Sequence, residues 1–76
     1  YTQRLFNEPG LLEAKLIEEA GELGEATDAE DVAHEAADVI YFALTAAARA
    51  GVPLSAIEAQ LNQRSRKVTR RPGNAK

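Results

Sequence analysis

Apolar residues recur along this chain with helical spacing, and no segment alternates apolar and polar residues as a half-buried strand would. From about Leu11 to Ala26 the residues are strong helix formers. Leu12, Leu16, Leu23 and Ala26 fall on one stripe at about 100° per residue. Asn7-Glu8-Pro9-Gly10 reads as a break followed by a helix start, with Asn7 as the N-cap and Pro9 in the first turn. Thr27-Asp28 ends this helix, and either residue can cap the next, which runs from about Ala29 to Ala50. Gly51 then stops the second helix, with Pro53 close behind. A third helix starts at Ser55, where Ser55 and Glu58 have capping-box spacing, with Leu54, Ile57 and Leu61 as its inner face. Beyond Arg66 the chain reads as an extended basic tail, because Pro72-Gly73 prevents a helix. The expected fold is all-α: a short helical hairpin that completes a four-helix-type bundle on dimerisation.

The need for a second chain comes from the second helix. Its first half is amphipathic, but Val39 to Ala48 is apolar nearly all round, and such a helix is covered on more than one side. A chain of 76 residues forms one domain, here residues 1–76, and has too little other material to cover it. A homodimer supplies the cover. With no cysteine there is no disulfide, and one histidine, His34, rules out a Cys/His zinc site. The run from Val39 to Ala48 is far short of the ~20 residues of a membrane span. No signal peptide is visible, and together with the missing cysteine this points to the cytoplasm. The chain opens at Tyr1 without a methionine, as a piece of something longer would.

Charge is placed unevenly. Residues 1–63 carry every acid and only three bases, Arg4, Lys15 and Arg49. Arg64, Arg66, Lys67, Arg70, Arg71 and Lys76 follow with no acid among them. An acidic body repels a nucleic-acid backbone, whereas a basic segment suits phosphate. The balance favours a small phosphorylated ligand over DNA or RNA.

The acids of the body are ordered. Glu19 with Glu22 and Glu35 with Asp38 are i,i+3 pairs, each on one helix face and about 4.5 Å apart along the axis. A very short turn joins the two helices, so they run antiparallel. In a hairpin centred between positions 28 and 29, residues whose numbers add to 57 lie at one height, and 19 with 38 and 22 with 35 both do. The four acids form a rough rectangle between the helices. Glu19 lies within the leucine stripe, and Glu35 lies in angle between Val39 and Phe42. Carboxylates so placed are costly and repel one another unless a cation joins them. Oxygen ligands alone point to Mg²⁺, with Mn²⁺ as the alternative. A di-iron bundle would need Glu-x-x-His on its helices, and His34 projects away from the face of Glu35.

Other residues have a plain reading beside a functional one. Glu13, Glu25 and Glu30 read as solvated helix charges. Glu18 stands beside Glu19 but points further out, and either orients water or lies on the surface. Lys15 reaches Glu19 at i+4 and either neutralises acids or meets a substrate phosphate. Tyr41 and Phe42 read as core or dimer packing ahead of a base-stacking platform, and His34 as a boundary residue.

The segment from Lys15 to Glu22, KLIEEAGE, and the segment from Glu35 to Asp38, EAAD, resemble the E-E-x-x-E and E-x-x-D signature of the all-α nucleoside triphosphate pyrophosphohydrolases, the MazG-like superfamily. The opening YTQRLF, the stretches LLEAKLIEEAGEL and HEAADVIYFAL, and the ending RRPGNAK extend the resemblance over nearly the whole chain, to the phosphoribosyl-ATP pyrophosphohydrolases of histidine biosynthesis. The resemblance implies a dimeric enzyme that splits the α–β phosphoanhydride of phosphoribosyl-ATP, and a family often fused to other histidine-pathway domains. It implies Glu19, Glu22, Glu35 and Asp38 as metal ligands. Glu18 or Glu22 would accept the proton of the attacking water. Arg4, Lys15, Arg66, Lys67, Arg70 and Arg71 are the cations available to the substrate phosphates. Relatives often carry a bulky aromatic where His34 stands, and Gly21 and Gly24 loosen the acid-bearing helix. Two other readings compete: a house-cleaning pyrophosphohydrolase for another nucleotide, and a helical dimerisation module without chemistry.

Overall fold

In the computed structural model, which describes the backbone of residues 1–69 and the side chains of residues 1–65, the hairpin is the centre of the fold. Four helices and no strand are found among the described residues: α1 (Thr2–Asn7), α2 (Pro9–Glu25), α3 (Ala29–Arg49) and α4 (Leu54–Thr69). The all-α expectation therefore holds.

Helix boundaries follow from single residues. Glu8 precedes a proline and is held extended at φ −112°, ψ 99°, the region to which a pre-proline residue is confined. It separates α1 from α2. The N-cap position of α2 thus belongs to Glu8, not to Asn7, which stays in α1; Pro9 is the first helical residue. Asp28 caps α3 by accepting the backbone N–H of Asp31 at 2.9 Å. At the other end of α3, Gly51 takes φ +75°. Its N–H bonds to the Ala48 carbonyl at 3.1 Å and that of Val52 to the Ala47 carbonyl at 2.8 Å. This is the double closure of a Schellman cap, and the left-handed residue it needs favours glycine.

Three expectations about α4 are corrected. It begins at Leu54, so Ser55 lies inside the first turn and does not cap it; the Ala56 N–H bonds to the Pro53 carbonyl at 3.0 Å. It also runs on through Thr69, so Arg66 and Lys67 lie in a helix and not in an extended tail. No breaker intervenes before Pro72. α4 turns away from α3 by 119°. Leu54 and Leu61, expected to face inward, remain 56% and 58% exposed, because the packing of this chain is among α1, α2 and α3. No single helix among the described residues is long and apolar enough to cross a membrane.

The core is small. Leu5, Leu12 and Phe42 are buried, with Leu11, Leu16 and Ala46 against them. The rings of Tyr1 and Tyr41 meet Phe42 edge-on at 6.5 and 5.0 Å. α1 is pinned to α3 twice: the Thr2 and Tyr41 hydroxyls lie 2.7 Å apart, and Arg49 donates to the Leu5 carbonyl at 2.9 Å. Ile40 and Leu44 of α3 stay open, at 57% and 42% exposure.

Candidate functional site

α2 and α3 lie antiparallel in the expected register. Lys15 and Phe42, whose numbers also add to 57, meet with the ammonium 5.9 Å from the ring centroid. The next inward positions toward the turn hold the acids. Glu19 is a buried carboxylate, 8% exposed; Glu35 and Asp38 are half-buried, and Glu18 and Glu22 are exposed. One carboxylate oxygen from each of Glu19, Glu35 and Asp38 lies within 4.8 Å of the others, and the same holds for Glu18, Glu19 and Glu22. Glu19 belongs to both groups and joins them into one five-acid cluster across the hairpin.

Electrostatics here opposes ionisation. Burial, with the charges of Glu22, Asp38 and Glu35 added, pushes the Glu19 carboxyl up to about 7 from its ordinary 4.5. Glu22 is raised as well, by desolvation against the hairpin and by the charge of Glu35. Oε1 of Glu19 and Oε1 of Glu35 are enclosed and have no hydrogen-bond partner. Buried oxygens of that kind are costly. A divalent cation bound by oxygen would satisfy both atoms and remove the repulsion, so the donor set fits a hard metal ion.

Two nitrogen-bearing side chains, Lys15 and His34, reach the cluster. Lys15 lies 3.2 Å from Glu18 Oε1 and 3.8 Å from Glu19 Oε2; the bond to Glu18 raises its pKa. His34 Nε2 stands 3.6 Å from Asp38 Oδ2 while the side chain remains 70% exposed. The His34–Asp38 contact was missed in the sequence, although i,i+4 spacing was a signal for it. Arg4 is engaged elsewhere, with Glu8 at 3.0 and 3.2 Å. Arg66 and Lys67 belong to the α4 backbone, but their side chains, like the whole of Arg70 and Arg71, lie outside the described residues.

The family model for phosphoribosyl-ATP pyrophosphohydrolase matches residues 1–65, which include every residue of the cluster. The chain belongs to the phosphoribosyl-ATP pyrophosphohydrolase family. Among curated relatives it is 54% identical to the histidine biosynthesis trifunctional protein of Komagataella pastoris, over all 76 residues of the chain and 9% of that protein. It is 53% identical to the histidine biosynthesis bifunctional protein his7 of Schizosaccharomyces pombe, again over the whole chain and over 18% of that protein. Identity to the trifunctional protein of Saccharomyces cerevisiae is 50%, with 10% of that protein covered. The chain thus spans less than a fifth of the length of these relatives. No solved structure matches it. In this pyrophosphohydrolase domain the acid cluster is the one place among the described residues with enclosed side-chain oxygens that lack a hydrogen-bond partner.

Proposed function

We propose that this chain hydrolyses the α–β phosphoanhydride of phosphoribosyl-ATP, giving phosphoribosyl-AMP and pyrophosphate for histidine biosynthesis, as one domain of a longer protein with other histidine-pathway domains. Family membership supports the reaction, and the unpartnered oxygens of Glu19 and Glu35 are the observation that carries the site. The fusion is supported by the small share of its multifunctional relatives that the chain covers.

Glu19, Glu22, Glu35 and Asp38 would hold Mg²⁺, for which Mn²⁺ can substitute. When bound, the ion supplies positive charge to the phosphate oxygens and the departing pyrophosphate and acidifies the attacking water. The protein side divides by position. Glu19, the most enclosed carboxylate, must give up a proton near neutral pH before it can act as a ligand. Glu18 and Glu22 stand at the open edge, where either can accept the proton of a water molecule. Lys15 bridges Glu18 and Glu19 and can turn its ammonium to an incoming phosphate. Arg66, Lys67, Arg70 and Arg71 bring further charge to the polyphosphate, and Arg4 can do so by leaving Glu8.

A second copy of the chain completes the bundle in this reading, against the exposed Ile40 and Leu44 of α3 and the Leu54 and Leu61 face of α4. Sedimentation at micromolar concentration should give at least a dimer; a monomer with a cooperative melt would remove that part.

The deciding experiment is pyrophosphate release from phosphoribosyl-ATP beside ATP, dCTP and dUTP, with and without Mg²⁺. Mg²⁺-dependent release from phosphoribosyl-ATP in preference to the others is expected. Preference for dCTP or dUTP would make the domain a house-cleaning enzyme, and no release from any substrate would leave a non-catalytic helical module.

A further inference from the structure

The acid cluster has two unlike ends. Toward the α2–α3 turn the next charges are Glu25, Glu30 and Asp31, all exposed acids. Toward α1 stand Lys15 and the aromatic group of Tyr1, Tyr41 and Phe42. A polyphosphate is repelled by the first end and drawn to the second, and the aromatic rings that can receive a base stand at that second end.

Tyr41 and Phe42 are neighbours in sequence with different roles. Phe42 is core, 5% exposed, whereas Tyr41 is 41% exposed. Tyr41 follows Asp38 by three residues, so it lies on the same flank of α3, about one turn beyond the carboxylate. Its ring is open to solvent yet held in place. The hydroxyl lies 2.7 Å from Thr2 Oγ1 on α1, and the ring stands edge-on to Phe42 at 5.0 Å. The Tyr41 carbonyl also accepts the Thr45 hydroxyl at 2.8 Å. A flat side chain already ordered in the free protein loses little entropy when a ring stacks on it. By helical angle Ile40 and Leu44 centre about 80° round α3 from Tyr41, with Leu44 itself about 60° from it, so Tyr41 borders the face assigned to a second copy.

We infer that the exposed face of Tyr41 is the stacking surface for the adenine ring of the nucleotide, with Lys15 holding the adjoining phosphate and the carboxylates lying beyond it. This rests on the hydrolase reading above and assigns to it a residue that determines substrate affinity. Stacking contributes equally to ground state and transition state, so its loss raises KM and leaves kcat alone.

The test uses the full chain with phosphoribosyl-ATP and Mg²⁺. Tyr41→Ala should raise KM about tenfold, the scale of one base–aromatic contact, with kcat within about twofold of the parent. Tyr41→Phe should keep the parent KM, because the ring remains and only the Thr2 contact is lost. Tyr41→Trp puts a single tryptophan into a chain that has none; its emission should be quenched by phosphoribosyl-AMP and not by pyrophosphate. The phenylalanine and tryptophan variants decide the matter if the alanine variant does not fold. An unchanged KM in a folded Tyr41→Ala, a Tyr41→Phe as impaired as the alanine variant, or emission blind to phosphoribosyl-AMP while the parent is active would each overturn the stacking role. Failure of the hydrolase reading looks different: the parent itself would release no pyrophosphate from phosphoribosyl-ATP, and the inference would fall with it.

Discussion

The two ends of the α2–α3 hairpin share one register and are filled with opposite chemistry. At the α1 end the positions between the helices hold Leu12, Leu16, Phe42 and Ala46, closed over by Leu5. One turn nearer the loop the inward positions hold Glu19 and Glu35, flanked by Glu18, Glu22 and Asp38. The first end stabilises the fold by removing apolar surface from water. The second works against it, because Glu19 is shifted toward its neutral form and two enclosed oxygens lack partners. A helix pair this short has few inward positions, and a fold that gives two of them to carboxylates with unpartnered oxygens has stability to regain from a ligand. The contrast separates what holds the molecule together from what it holds.

Substitution at the apolar end should damage folding most. Phe42→Ala removes the largest ring of the core and should lower stability by about 3–5 kcal/mol, read from urea unfolding. A loss under about 1 kcal/mol would mean that the aromatic group does not anchor α1. Substitution at the acid end should do the reverse. Glu35→Gln should cut kcat/KM for phosphoribosyl-ATP by about 100-fold or more, the scale for losing one preorganised charge-handling group, while the metal-free Tm does not fall, since repulsion is relieved. An active Glu35→Gln enzyme would take this residue out of the proposed metal site.

A smaller effect tests the basic segment outside the described residues. Replacing Arg70 and Arg71 by alanine should lower kcat/KM about tenfold, or about 1.4 kcal/mol, with Tm unchanged. Normal kinetics would leave the polyphosphate to Arg4, Lys15 and the metal.

The last effect is a difference in pH dependence. Glu19 titrates near 4.5 when unfolded and near 7 when folded. Below 4.5 it is protonated in both states and has no influence. Between 4.5 and about 7 the unfolded chain loses that proton while the folded chain keeps it, so the metal-free protein loses stability as pH rises through this window. Above it the penalty stays constant. Glu19→Gln should remove that part of the slope, and Mn²⁺ affinity of the parent should rise through the same window. Parent and variant melting curves that run parallel from pH 4.5 to 7 would show that Glu19 is not held neutral.

Much of the site was legible because a helix spaces its side chains regularly. The i,i+3 acid pairs and the Thr27-Asp28 turn were enough to bring Glu19, Glu35 and Asp38 together. Asp28 and Gly51 announced helix ends because capping and left-handed backbone select those residue types. α1 was harder to see. A six-residue helix lacks a periodic stripe, and its place depends on Leu5, Thr2 and the distant Arg49 and Tyr41. The His34–Asp38 contact was available to i,i+4 spacing and was missed, because the angle of His34 was weighed only against Glu35.

Local rules in the sequence thus determined the helical class, the antiparallel hairpin, its register and the gathering of the acids, since each depends on neighbours within a few turns. Tertiary structure decided what depends on contacts between distant residues and on shielding from water: that Glu19 is buried while Glu18 and Glu22 are open, that Phe42 is core while Tyr41 is exposed, and that α4 leaves the hairpin with its leucines uncovered. Helical spacing sets the angle at which a side chain leaves its helix. Only the packed neighbours set how much water, and therefore how much charge, that side chain keeps.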